Sequence, residues 1–192
     1  MARELSGRVR ESERIERMKQ VVKNVPDPDE ARARAGMIAP EPVELEMHSY
    51  LYRFASSSAM FGYHVGAWWI RQVDFDSIVA RATRAGVDLA QKARFDLAVL
   101  HKWGNHMDVA VEARVTDKLW AWTGLAKPQL EQTANGKLIR MFGNPGIRQL
   151  YLVGFVTQYK DQDPDDRFAS LTPYGRTALS VTGAKLIPRS HR

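Results

Sequence analysis

Thr116-Asp-Lys-Leu-Trp-Ala-Trp-Thr-Gly-Leu-Ala-Lys-Pro-Gln-Leu130 is the stretch on which the fold turns. Thr116 is a good N-cap for a short helix over 117–122. Thr123-Gly124-Leu125 then reads as a tight turn, and Lys127-Pro128 opens a second helix, with proline at its first position, that runs to about Phe142. Two helices across a glycine turn, the second one polar and basic at its start, form the layout of a helix-turn-helix. Leu130 and Leu138 would pack inward and leave Lys127, Gln129, Glu131, Gln132, Thr133 and Asn135 facing outward.

Upstream of this stretch, Val109, Val111, Ala113 and Val115 alternate as in a short strand. Before them come a helix over 89–103 and another over 78–85, the latter capped by Asp74 or Asp76 and ended by Gly86. Apolar residues between Leu45 and Arg71 recur at helical spacing, with small residues at 56–59, 62 and 66. Residues 1–25 alternate in charge as a solvated helix does, and 26–46 are rich in proline and acid. The expected organisation is a charged helical arm (1–25), an acidic, proline-rich linker (26–42) and one mostly helical globular domain (43–192). The expected fold class is mainly α, with a helical N-terminal half and a C-terminal half that carries a small β-wing.

Composition supports a single globular unit: 192 residues, 44% hydrophobic and 26% charged. The absence of cysteine excludes a disulfide framework, a thiolate zinc site, an iron–sulfur cluster and a cysteine nucleophile. The N-terminal stretch lacks the apolar core of a secretory signal, and the longest uncharged run, Phe54 to Ile70, is too short and too polar to span a membrane, so a cytoplasmic protein is expected. The net charge of +6 lies in the C-terminal part, where residues 114–192 hold 12 Lys and Arg against 6 Asp and Glu. A skew of this kind suits a polyanionic partner.

No nucleophile elbow, phosphate loop, zinc-protease helix or dinucleotide fingerprint is present. Asp161, Asp163, Asp165 and Asp166 alternate as calcium ligands do, but without the glycine and the distal glutamate of such a loop. His101 and His106, with Asp108 nearby, are five positions apart with Gly104 between them, a poor spacing for zinc. The expectation is a protein that is not an enzyme and uses no cofactor or metal.

Further downstream, Gly154-Phe-Val156, Asp165-Asp-Arg167 and Leu171-Thr-Pro-Tyr-Gly-Arg176 follow the first motif in order. This run resembles the wing and following helix of winged-helix regulators of the multiple-antibiotic-resistance (MarR-like) family, over residues 95–180. The resemblance implies a recognition helix at 127–133 and an arginine, Arg167, in a minor groove. On this reading the chain is a sequence-specific DNA-binding transcriptional regulator that acts as a dimer on double-stranded DNA. Lys127, Gln129, Gln132 and Asn135 would read bases, while Arg114, Lys118, Lys137, Arg140 and Lys160 would hold phosphates. The alternative is a non-enzymatic assembly subunit, such as a virion connector or capsid-associated protein. It rests on the charged arm, the linker and a tryptophan-rich helix that would contact other subunits.

Overall fold

The computed structural model describes residues 27–58, 66–133, 135–156 and 171–188. Within them the element order is α1 (Asp27–Gly36), β1 (Met37–Leu45), β2 (Tyr50–Ala55), β3 (Trp68–Arg71), α2 (Gln72–Ala85), α3 (Leu89–Asp96) and a 3-10 turn at His101–Trp103. There follow β4 (Val109–Val115), β5 (Leu119–Ala126), β6 (Gln129–Gln132), β7 (Leu138–Met141), β8 (Arg148–Leu152), α4 (Pro173–Ala178) and β9 (Leu179–Leu186). Seven strands form one antiparallel sheet in the order β1-β5-β8-β3-β2-β4-β9, and β6 and β7 form a separate hairpin.

The mainly α expectation is therefore wrong, and the stretch 116–130 shows why. Leu119–Ala126 is β5, paired on one side with β1 and on the other with β8. A strand covered on both faces loses its apolar/polar alternation, so a short apolar run gives no period to separate strand from helix. The supposed glycine turn is mid-strand, where Gly124 faces Gln149 of β8. The supposed recognition helix is the β6–β7 hairpin, so the winged-helix resemblance falls with it. The proposed wing at 157–170 lies outside the described residues.

Residues 27–42, expected as linker, form α1 and most of β1. Pro40 and Pro42 suit β1 because it is an edge strand, and Ala39 takes a positive φ of 44° beside the register shift between Ile38 and Glu41. The helical expectation for 45–71 fails as well: β2 and β3 occupy its described parts. Val109–Val115 is a strand, Gly86 closes α2 in the left-handed conformation, and the Thr172 hydroxyl caps α4, as the residues suggest.

One large core gathers Leu51, Val111, Ala113, Trp120, Trp122 and Leu150. A second lies between β2, β3 and the helices, with Phe54, Ile70, Ile78, Ala93 and Leu97. Helix α1 is fastened by the buried Asp29, which accepts hydrogen bonds from the Gly154 amide at 2.8 Å and the Tyr151 hydroxyl at 3.1 Å. Among the described residues, no helix is long and apolar enough to cross a membrane.

The middle of the sheet is its weak line. Strands β2 and β3 are registered at only two pairs, Leu51↔Arg71 and Tyr52↔Ile70. The next positions, Arg53 opposite Trp69 and Phe54 opposite Trp68, are not paired, so the strands part there.

Candidate ligand-binding cleft

The parting of β2 and β3 opens a cavity of about 480 Å3. Tyr52, Arg53 and Phe54 line it from β2, and Trp68, Trp69 and Ile70 from β3. Successive strand residues point to opposite faces, and all three β2 side chains reach one cavity because β3 does not continue alongside Arg53, whose other edge stays paired with Val111 of β4. Arg32, Ala35 and Gly36 of α1, Leu97–Val99, Trp103, Asn105, Met107, Lys127, Gln129 and Gln149 complete the lining.

Arg53 is the unusual member. Its Nη1 donates to the Trp68 carbonyl at 3.0 Å, while its Nε is buried without a hydrogen-bond partner. Burial pulls its guanidinium down to about 10, and no carboxylate among the described residues opposes that effect. Among the described residues the lining contains three cations, Arg32, Arg53 and Lys127, and no Asp or Glu. A desolvated cation with no counter-charge is costly unless something anionic joins it.

Local backbone choices hold the site open. A Cβ on Gly66 would lie 2.4 Å from the Arg53 guanidinium carbon, and one on Gly36 would lie 2.5 Å from the Trp68 ring. Both glycines thus let a side chain rest directly on main chain. Four non-glycine residues among those described have positive φ, and two of them, Ala98 (51°) and Met107 (56°), line the cavity. Such conformations persist where the surroundings enforce them, and they cluster at functional sites.

Several polar groups of the lining are already committed. The Asn105 amide donates to the Phe54 carbonyl at 3.2 Å and its oxygen accepts from the Met107 amide at 2.9 Å, while Gln149 donates to the Leu97 carbonyl at 2.6 Å. Trp103, 54% exposed, stands at the rim. Beside it the exposed His101 Nδ1 lies 2.7 Å from Oε2 of the buried Glu131, which shares a face of β6 with Gln129 and also attracts Arg94.

The residues expected to bind DNA are dispersed. Lys127 and Gln129 line the cleft. Gln132 lies on the exposed face of the hairpin, and Asn135 sits in its turn, accepting from Thr133 and from the Lys137 amide. Lys137 and Arg140 are exposed on the hairpin, with Arg140 5.5 Å from the Phe142 ring centroid. Lys118 pairs with Glu44 at 3.1 Å in a different turn, and the Arg114 guanidinium lies 2.7 Å from the His48 ring. Lys160 and Arg167 lie outside the described residues. With no recognition helix, these side chains have no element to carry them into a groove, and the DNA-binding regulator reading is withdrawn. The assembly reading is unsupported too: its linker forms α1 and most of β1, and Trp69, Trp120 and Trp122 are strand residues buried in this chain's own core, while the expected arm at 1–25 lies outside the described residues.

Asp108 is spent on the amide and hydroxyl of Ser57, at 2.7 and 2.6 Å. Among the described residues no group of His, Cys, Asp and Glu is placed to hold a metal, and the aspartates at 161–166 lie outside those residues. On the sequence alone, Tyr52, Arg53 and Phe54 receive no functional role, and Trp68 and Trp69 read as helix residues that contact other subunits. The available signal was an arginine set in the β-type run Tyr50–Ala55.

No protein-family model matches the sequence, and no curated protein does. Among solved structures, a chain of "Rhs1-CT in complex with cognate immunity protein RhsI1" superposes with a TM-score of 0.45 at 16% identity, over 79% of this chain and 84% of that one. The functional reading rests on the cleft itself.

Proposed function

We propose that this chain binds a small organic anion with a flat ring, of the nucleotide class, in the cleft between β2 and β3. The observation that carries the reading is Arg53: a guanidinium with a buried, unpartnered Nε in a cavity whose described lining residues include no acid. An anionic group placed there would supply the missing counter-charge through charge-assisted hydrogen bonds. Trp68 and Trp103 offer ring faces for a planar body, and the Gln129 amide offers donors and an acceptor for its polar edge. Lys127 and Arg32 add positive potential for a second charged group.

Calorimetric titration with AMP, ADP and inorganic phosphate tests the reading. Saturable binding of a nucleotide is expected, tighter than that of phosphate and abolished by Arg53→Met. Trp103→Ala should weaken it by about 1–3 kcal/mol, the worth of one stacked base. Absence of saturable binding by the folded protein, or undiminished binding by Arg53→Met, would overturn it.

A further inference from the structure

The β6–β7 hairpin has two unlike faces. Its register, with Gln129↔Met141, Leu130↔Arg140, Glu131↔Ile139 and Gln132↔Leu138, puts Glu131 on the face turned to the protein, where Met141 is buried. The opposite face displays Leu130 (54% exposed) and Leu138 (65%), and Phe142 (65%) continues the same alternation just past β7. Large apolar side chains grouped on one exposed face mark interaction surfaces. A two-stranded ribbon is marginal alone, and the hairpin is anchored to the protein through its inner face, where Glu131 and Met141 are buried.

Charge decides what the outer face suits. Within the hairpin, Arg140 shares the outer face with Leu130 and Leu138, Lys137 is exposed in the turn beside them, and the one acid, Glu131, is buried on the inner face. Arg140 lies over the Phe142 ring, so positive charge sits directly against the apolar patch. A second copy of the same face would bring Arg140 against its like, with the exposed Lys137 in the adjoining turn adding to the repulsion. We infer that the outer face of the β6–β7 hairpin docks a protein segment of opposite design, with apolar side chains flanked by Asp or Glu. This is independent of whether the cleft binds a nucleotide.

The test is fluorescence anisotropy with a labelled peptide, Glu-Glu-Leu-Glu-Phe-Glu-Leu-Glu-Glu, beside its counterpart with every Glu replaced by Lys, both titrated with the full chain. The acidic peptide should bind and the lysine peptide should not. Leu138→Glu with Phe142→Glu should weaken the acidic peptide at least tenfold. Lys137→Glu with Arg140→Glu, changed only at exposed polar positions, should do the same without touching the apolar patch and keeps the test decisive if the first variant misfolds. Equal binding of both peptides, no binding of either, or acidic-peptide binding that survives Lys137→Glu with Arg140→Glu would overturn the inference. So would sedimentation showing a dimer that the substitutions dissolve, since a second copy would then be the occupant.

Discussion

Arg53 carries its charge where the surroundings penalise it, and that has a consequence for stability separate from binding. The guanidinium is partly desolvated, donates to the Trp68 carbonyl and has no carboxylate among the described residues to offset its burial. Arg53 is half-buried with its Nε out of water, and replacing charged groups withdrawn from water by apolar side chains of similar size is often neutral or stabilising. Arg53→Met should therefore keep or raise the melting temperature of the ligand-free protein while losing the ligand. A drop of several degrees would mean that the guanidinium is a structural strut. Nothing in the sequence set Arg53 apart, because its meaning depends on β3 parting from β2 beside it, and that is a property of register between distant segments.

At the scale of elements, Asp29 decides whether α1 belongs to the fold. Its carboxylate accepts from the Gly154 amide and the Tyr151 hydroxyl, and Tyr151 is pushed up to about 12, chiefly by burial. Asp29→Ala would leave both donors buried and unmatched, at a cost of about 1–3 kcal/mol, measurable by urea unfolding. A change under about 0.5 kcal/mol would return α1 to the status of a loose appendage. Glu112 plays a comparable part across three adjacent strands: from β4 it accepts from Thr182 of β9 at 2.6 Å and Tyr52 of β2 at 2.7 Å. These hydrogen bonds, that from Thr182 first, hold its carboxyl below the ordinary value. A lowered carboxylate stabilises the fold above the ordinary glutamate value, about 4.3, and that contribution disappears as the pH falls through the lowered one. The gap in melting temperature between the parent protein and Glu112→Gln should narrow from about pH 5 to about pH 3; a constant gap would exclude this origin.

What the sequence revealed about elements follows from exposure. Strand β4 was legible because Ala110, Glu112 and Arg114 are only half-buried between fully buried neighbours, which preserves the period of two. Strand β5 was not legible: six consecutive residues, Leu119–Gly124, are buried, and glycine and threonine within them imitate a turn. The helices that end at Gly86 and start at Thr172 carry their punctuation locally, so they were found. Proline misled at β1, where an edge strand tolerates what a central strand would not.

On the scale of the whole molecule, the sheet consists of a four-stranded part, β1-β5-β8-β3, and a three-stranded part, β2-β4-β9, held together through two residue pairs. The cleft lies along that join, which is why the candidate site draws on residues from 32 to 149. Its composition was hidden from local reading for the same reason, since the residues that line it come from separate stretches of chain. Neighbours in this sheet are seldom neighbours in sequence: Leu45 meets Leu119, Trp68 meets Tyr151 and Val109 meets Leu186. Each such pairing closes a long loop before any contact rewards it, so refolding from urea should take milliseconds to seconds, as expected when non-local pairings dominate, and not the microseconds typical of a helical bundle. A chain still being synthesised meets the same obstacle, because β4 waits for β9 and β1 waits for β5, leaving strand edges open to other chains in the interval.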